Sequence, residues 1–203
     1  MKNIIFDLGG VIINIDYQLT IDAFKKLGIE NFERLYSQAT QTKLFNRFET
    51  GKITPAQFRS EIKKLLSIRI SNSQIDNCWR AMLLDFPQER LLFLEKLKKK
   101  YRLFLLSNTN QIHISEVSQI LKRKNQFKIW NRIFEKKYFS HEIGMRKPDK
   151  EIYEFVLKEN NLKAPETLFI DDSEQNIFGA KKAGLKTYFL KKGEEITELP
   201  FLK

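Results

Sequence analysis

Asn3-Ile4-Ile5-Phe6-Asp7-Leu8-Gly9-Gly10 is the stretch on which the fold turns. A short, mainly apolar run stops at an acid and two glycines, the pattern of a buried parallel strand that ends in a loop. Asp7 interrupts the run too early for a signal peptide or a membrane span, so a core strand, no membrane association and a cytoplasmic location are expected.

Working outward, the texture from Tyr17 to about Asp85 is helical, with breaks at Gly28 and Gly51-Lys52. Thr54 and Gln57 make a capping box there, with Pro55 at the first helical position. After Pro87, helices and strands alternate. The helices are Gln88–Lys100, Ile112–Leu121, Lys150–Glu159 with Asp149 as N-cap, and Asn176–Ala183 ended by Gly184. The strands are Leu103–Leu106, Lys137–Phe139, Leu168–Ile170 and Thr187–Leu190. Such an order implies right-handed βαβ crossovers. The fold class is therefore α/β, a mostly parallel sheet with helices on both faces, interrupted after its first strand by a helical insertion. Residues 1–16 and 86–203 form the core, and 17–85 the insertion.

Composition agrees with a globular domain: 203 residues, 42% hydrophobic and 30% charged, exclude a disordered or collagenous chain. The single cysteine, Cys78, forms no internal disulfide and no thiolate metal cluster. A formal net charge of +11 favours a negatively charged partner. The basic residues cluster in Lys96–Arg102, Leu121–Lys128 and Lys136-Lys137, mostly on the polar sides of helical patterns. No nucleic-acid-binding module accompanies them, so a small anionic metabolite is expected rather than a nucleic acid.

In an open parallel sheet, ligands bind beyond the carboxyl ends of the strands. The residues at those ends are Asp7, Ser107-Asn108 and Asp171-Asp172, with Lys147 between the last two in Gly144-Met145-Arg146-Lys147-Pro148. Crowded carboxylates at one sheet edge are costly unless a cation shares the site, and hard oxygen ligands suit magnesium. Asp7 then serves as a carboxylate nucleophile at phosphorus, passing through an aspartyl-phosphate. Magnesium held by Asp7 and Asp171 offsets the anionic repulsion, Asp172 orients a metal-bound water, and the Ser107 hydroxyl and Lys147 ammonium stabilise the equatorial oxygens. Backbone N–H groups approach the phosphoryl group at Gly9 and Gly10. The substrate-contacting set is Leu8, Gly9, Gly10, Ser107, Asn108 and Lys147. Singly, each has a plainer reading: Asp7 as a turn former, Lys147 as a surface lysine before Pro148, Asp171-Asp172-Ser173 as a helix cap. Their order along one edge argues for a common site.

At these residues the chain resembles the haloacid dehalogenase-like (HAD) superfamily. The resemblance rests on "FDLGGVI" at Phe6–Ile12, "LLSNTN" at Leu105–Asn110, "GMRKPDKEIY" at Gly144–Tyr153 and "FIDDSEQNIFGAKKAG" at Phe169–Gly184. It implies a Rossmann-like core, a helical cap of the C1 type at 17–85, and metal ligands Asp7, Gly9 through its carbonyl, Asp171 and Asp172. Within the superfamily the chain is similar to bacterial sugar-phosphate phosphatases of the α-D-glucose-1-phosphate phosphatase kind, through "DLGGVIINID", "FETGKIT", "LSNTN" and "GMRKP". This implies a magnesium-dependent phosphatase for a small phosphate monoester such as a hexose 1-phosphate.

One departure matters. Most phosphatases of the superfamily carry a second Asp two residues after the nucleophile, and here that place is Gly9. Either another acid substitutes, with Glu49, Asp16 and Glu142 as candidates, or the substrate needs little acid help, as with a sugar 1-phosphate. The gap also suits a 2-haloacid dehalogenase, although a paired acid is unhelpful around a carboxylate substrate. A non-catalytic phosphate-binding protein is the third reading. His113, His141 and Cys78 lack the spacing of metal ligands or activated nucleophiles and are expected to be structural. Phe45, Phe48, Trp79 and Phe86 belong to cores rather than to a substrate face.

Overall fold

Five strands, β1 (Asn3–Phe6), β2 (Arg102–Ser107), β3 (Lys136–Phe139), β4 (Thr167–Asp171) and β5 (Lys186–Phe189), form one parallel sheet in the order β3-β2-β1-β4-β5. The structure is a computed structural model that describes residues 1–29, 32–35, 43–66 and 69–202. Helices α1 (Tyr17–Lys25), α2 (Phe32–Leu35), α3 (Lys43–Glu49), α4 (Pro55–Leu66), α5 (Asn72–Arg80) and α6 (Gln88–Leu97) lie between β1 and β2. Helices α7 (Gln111–Arg123) and α8 (Phe127–Ile133) link β2 to β3, α9 (Ser140–Ile143) and α10 (Lys150–Glu159) link β3 to β4, and α11 (Glu174–Lys182) links β4 to β5.

Strand periodicity explains why both faces are covered. Ile4 and Phe6 pack with Leu91, Leu94 and Val117 of α6 and α7, while Ile5 packs on the opposite face with Ile152, Val156 and Ile177 of α10 and α11. The register then sets the functional edge. Phe6 pairs with Leu105 on one side and with Ile170 on the other, so Asp7, Ser107 and Asp171 emerge together at the carboxyl ends of the three central strands.

Helices α1 to α5 gather around a second apolar cluster that includes Phe24, Phe45, Phe48, Phe58, Ile75 and Trp79. Phe45 stacks on Trp79 with ring centroids 5.1 Å apart, and Phe48 stacks on Phe58 at 4.2 Å. Such pairs add about 0.5–1.5 kcal/mol each beyond their buried area. Phe86 joins the sheet-side cluster instead, so all four singled-out aromatics are core residues. The chain enters and leaves this helical unit through a paired stem. The Asn14 N–H donates to the Asp85 carbonyl at 2.9 Å, Leu84 N–H to Asn14 at 3.0 Å, and Asp16 N–H to Met82 at 2.9 Å.

The expected capping box forms: Thr54 N–H donates to Gln57 Oε1 at 2.8 Å and Gln57 N–H to Thr54 Oγ1 at 3.3 Å. Asp149 does stand at the N-cap of α10, but its side chain accepts no capping hydrogen bond. Two helices, α8 and α9, were not expected. The basic run Leu121–Lys128 is in fact the end of α7, a turn with Asn125 at φ 56°, and the start of α8. Helices of seven and four residues are too short to show a period. Helix α6 stops at Leu97 rather than Lys100, and α11 begins at Glu174, two residues earlier than expected.

Candidate active site

Asp7 follows β1, and Asp171 is the last residue of β4. Between them lies the Lys147 ammonium, donating to Asp7 Oδ1 and to Asp171 Oδ2 at 2.6 Å each. Lys147 is only 1% exposed, so its charge has no solvent to fall back on. Burial alone opposes its protonation, but Asp171 and Asp7 outweigh that and raise its pKa.

Asp171 is saturated. Besides Lys147, it accepts from Ser173 N–H at 2.8 Å and from Asn176 Nδ2 at 3.0 and 3.1 Å. The helix-cap reading of Asp171 is therefore half right: it orders the first turn of α11 while facing the lysine. Among the described residues Asp172 has no such set of side-chain partners, its carboxyl meeting only its own backbone N–H. Burial first, then the neighbouring Asp171 charge, push its carboxyl up to about 6. Asp7 lies higher still, at about 7, mainly through burial, with Lys147 opposing and Asp171 and Asp172 adding repulsion.

Ligand oxygens of Asp7, Asp171 and Asp172 lie within 4.8 Å of one another. Three carboxylates face one ammonium, a surplus of two negative charges that a hard divalent cation would neutralise with oxygen ligands. The residues thus fit magnesium on their own chemistry. Gly10 keeps this corner open: its φ is 72°, and a Cβ there would lie 2.1 Å from Asp172 Oδ2.

Asp7 and Asp172 open onto a cavity of about 100 Å³ that Leu8, Gly9, Ser107, Asn108 and Lys147 also line, while Asp171 is fully buried behind them. Gly10 borders an adjoining groove rather than the cavity itself. The Asn108 side chain does something the sequence did not suggest. Its Oδ1 accepts the Lys147 N–H and its Nδ2 donates to the Lys147 carbonyl, both at 2.9 Å, so it clamps the backbone that carries the lysine. A reciprocal pair secures the next residue: Thr109 N–H donates to Ser140 Oγ at 2.9 Å, and the Ser140 hydroxyl donates to the Thr109 carbonyl at 3.0 Å.

The three acids considered as substitutes for the missing Asp separate cleanly. Asp16 caps α1, accepting from Gln18 N–H at 2.9 Å, and faces the adjoining groove. Glu142 is exposed on α9 and does not line the cavity. Glu49, the last residue of α3, does line it, 3.2 Å from Arg146. His113 lines the cavity too, but it is held against the helical unit: burial drives its pKa down to about 4, its Nε2 meets the Trp79 carbonyl at 2.9 Å, and its ring stacks on Trp79. Cys78 is buried in the helical unit, and burial pushes its thiol up, away from nucleophilic use. Asn176 and Arg146 were missed as site residues. Asn176 left a usable signal, a polar residue in the first turn after an acidic pair, whereas Arg146 needed a partner from a distant helix.

The chain belongs to the haloacid dehalogenase-like hydrolases, whose family model matches residues 1–184. It is 32% identical over 188 residues to the D-ribitol-5-phosphate phosphatase of Bacteroides thetaiotaomicron, covering 93% of this chain and 91% of that protein. Among solved structures, a HAD family enzyme of the same organism, crystallised as an aspartate-to-alanine variant with magnesium and inorganic phosphate, is similar with a TM-score of 0.91 and 40% identity, over 97% of this chain and 96% of that one. A predicted HAD-like family hydrolase of Porphyromonas gingivalis gives a TM-score of 0.86 at 30% identity, over 96% and 93% of the two chains. Among the described residues, no helix is long and apolar enough to cross a membrane.

Proposed function

We propose that the protein is a magnesium-dependent phosphatase acting on a small sugar or alditol monophosphate through an aspartyl-phosphate at Asp7. The observation that carries this reading is the Lys147 ammonium shared by Asp7 and Asp171, with the Asp172 carboxylate beside them. The relative's activity on ribitol 5-phosphate and the hexose 1-phosphate expected from sequence are two members of one substrate class.

Asp7, Asp172 and the Gly9 carbonyl would hold magnesium, with Asp171 acting mainly through Lys147 and Asn176 because its own oxygens are already engaged. When bound, the ion neutralises carboxylate and phosphoryl charge. Lys147 holds Asp7 Oδ1, leaving Oδ2 to attack phosphorus as the bond to the leaving oxygen breaks. The Ser107 hydroxyl and the Lys147 ammonium, both lining the cavity, stabilise the equatorial oxygens in this reading. Water then opens the acyl phosphate. The helical unit 17–85 acts as a cap whose inner wall meets the leaving group. A dehalogenase reading is disfavoured by the acid trio, which repels a carboxylate substrate.

The test is release of inorganic phosphate from a panel of sugar, alditol and alkyl phosphates. Release that disappears with EDTA and in Asp7→Asn is the expected result, as is a hydroxylamine-labile adduct on Asp7 in rapidly quenched mixtures. A wild-type protein that releases phosphate from no member of the panel, or releases it equally well in Asp7→Asn, overturns the reading.

A further inference from the structure

Resting on the phosphatase reading, we propose that Glu49 and Arg146 together recognise hydroxyl groups of the leaving alcohol, so the site selects short polyhydroxylated phosphates over apolar ones. Glu49 comes from the helical unit and Arg146 from the loop that carries Lys147, and they meet at 3.2 Å between Glu49 Oε2 and the Arg146 guanidinium. Their side chains are 9% and 16% exposed. Both line the cavity onto which Asp7 and Lys147 open.

Three observations point the same way. First, the pair is set beside the apolar side chains Ile15, Met82, Leu83 and Val117 in the cavity lining, with Tyr17 and His113 as the polar aromatics there. Withdrawing two ions from water costs several kcal/mol each before their attraction offsets it, so such a pair is poorly explained by stability alone. Second, the Nε of Arg146 is a buried donor with no hydrogen-bond partner among the described residues, so the protein by itself leaves the hydrogen bonding of this guanidinium incomplete. Third, the wall is held in register by backbone. Gly51, just after Glu49, has φ 66°, and a Cβ there would lie 2.1 Å from the His141 carbonyl oxygen, so helix α3 approaches the α9 loop as closely as a glycine permits.

Chemistry and size then define the ligand. Glu49 is engaged by the Arg146 guanidinium, so its carboxyl oxygens are placed as acceptors, which suits reading a hydroxyl. The cavity of about 100 Å³ is small beside the ~300–1,000 Å³ of ordinary small-molecule pockets. A long apolar chain gains little in a space of that size, whereas a short polyol gains by exchanging its hydroxyls into the contacts of the pair. Sites that hydrogen-bond a substrate group reject analogues lacking it far more strongly than apolar pockets reject a missing methylene.

The experiment compares ribitol 5-phosphate with propyl phosphate, which have alkyl leaving groups of the same kind but differ in hydroxyls. In wild type the polyol phosphate is favoured in kcat/KM, and Glu49→Leu lowers that preference by about 100-fold, chiefly through KM. Glu49→Gln, which keeps an acceptor, recovers part of it. Arg146→Leu produces a similar loss, and the double variant loses less than the two together. A preference unchanged in Glu49→Leu overturns the proposal, whether the two substrates are unaffected or decline in parallel, as they would if Glu49 were a general acid or only a structural contact. Dissociation constants of both esters for Asp7→Asn with magnesium, with and without Glu49→Leu, read the same preference without turnover. Absence of phosphate release therefore defeats the phosphatase reading, while the binding ratio still decides the role of the pair.

Discussion

The two halves of the site are built by different physics. The half formed by the strand ends is a closed electrostatic network, in which Lys147, at 1% exposure, is gripped by two carboxylates whose positions follow from sheet register. The opposite wall, supplied partly by helices α1 to α5, is mostly apolar and carries one charged pair. The helical unit has its own aromatic core, which Ile112 of α7 joins, and is tied to the sheet side by the stem near Asn14 and Asp85, by Trp79 against His113 and Asn110, by the Arg80–Glu116 ion pair and by the Glu49–Arg146 pair. A network whose parts hold one another tolerates little change. A wall resting on a separate core can alter its surface without disturbing the chemistry beneath it, and that is where substrate preference is free to vary.

This contrast is open to attack, most forcefully at the nucleophile. Asp7→Asn is expected to lower phosphate release by at least ~10⁴-fold while circular dichroism stays unchanged, because it removes the attacking atom and not a core contact. Appreciable residual turnover would mean that the strand-end network is not the reactive half. Next in size, Lys147→Met leaves Asp171 and Asp7 buried without their cation. It should cost about 3–5 kcal/mol in denaturant unfolding and abolish turnover. A loss below about 1 kcal/mol would show that the network is less interdependent than its geometry implies.

Metal and pH probe the same half more gently. Without metal, Asp7 and Asp172 titrate in the fold near 7 and near 6, against an ordinary value of 3.8. The fold therefore holds these protons more tightly than the unfolded chain does. Their favourable contribution is complete below about pH 4 and is lost as pH rises through 6 to 7, at about 1.4 kcal/mol per pH unit for each group. In EDTA these two groups lower the melting temperature between about pH 5 and pH 8, and magnesium should raise it more at pH 8 than at pH 5. An equal magnesium effect at both pH values would contradict that origin of the strain. The smallest effects belong to acids outside the cavity. Asp16→Ala loses a helix cap worth about 1 kcal/mol, visible as a lower melting temperature, and Glu142→Gln changes nothing measurable. A tenfold loss of turnover in either would place a catalytic acid beyond the cavity.

Much of this was legible in order and texture. The apolar run before Asp7, the alternation after Pro87 and the tip residues Ser107, Lys147 and Asp171-Asp172 are local patterns, and the sheet assembles them as expected. Helices α8 and α9 were too short to carry a period, and Asp149 illustrates that a residue type at a cap position need not make the cap bond. The division of labour between Asp171 and Asp172 was hidden as well. Adjacent in sequence, they differ because one points to Lys147 and Asn176 while the other meets the open corner at Gly10.

Sequence by itself determined the parallel sheet, the helical insertion after β1 and which residues stand at the strand ends, because these follow from periodicities of two and 3.6 residues and from where apolar runs stop. Tertiary structure alone decided which acid pairs with the lysine, that Asn108 clamps a backbone, and that Glu49 rather than Asp16 or Glu142 reaches the cavity. Those outcomes depend on groups distant in the chain, from 24 residues for Asp171 and Lys147 and 39 for Asn108 and Lys147 to 140 for Asp7 and Lys147, brought within hydrogen-bonding range by packing that no local pattern encodes.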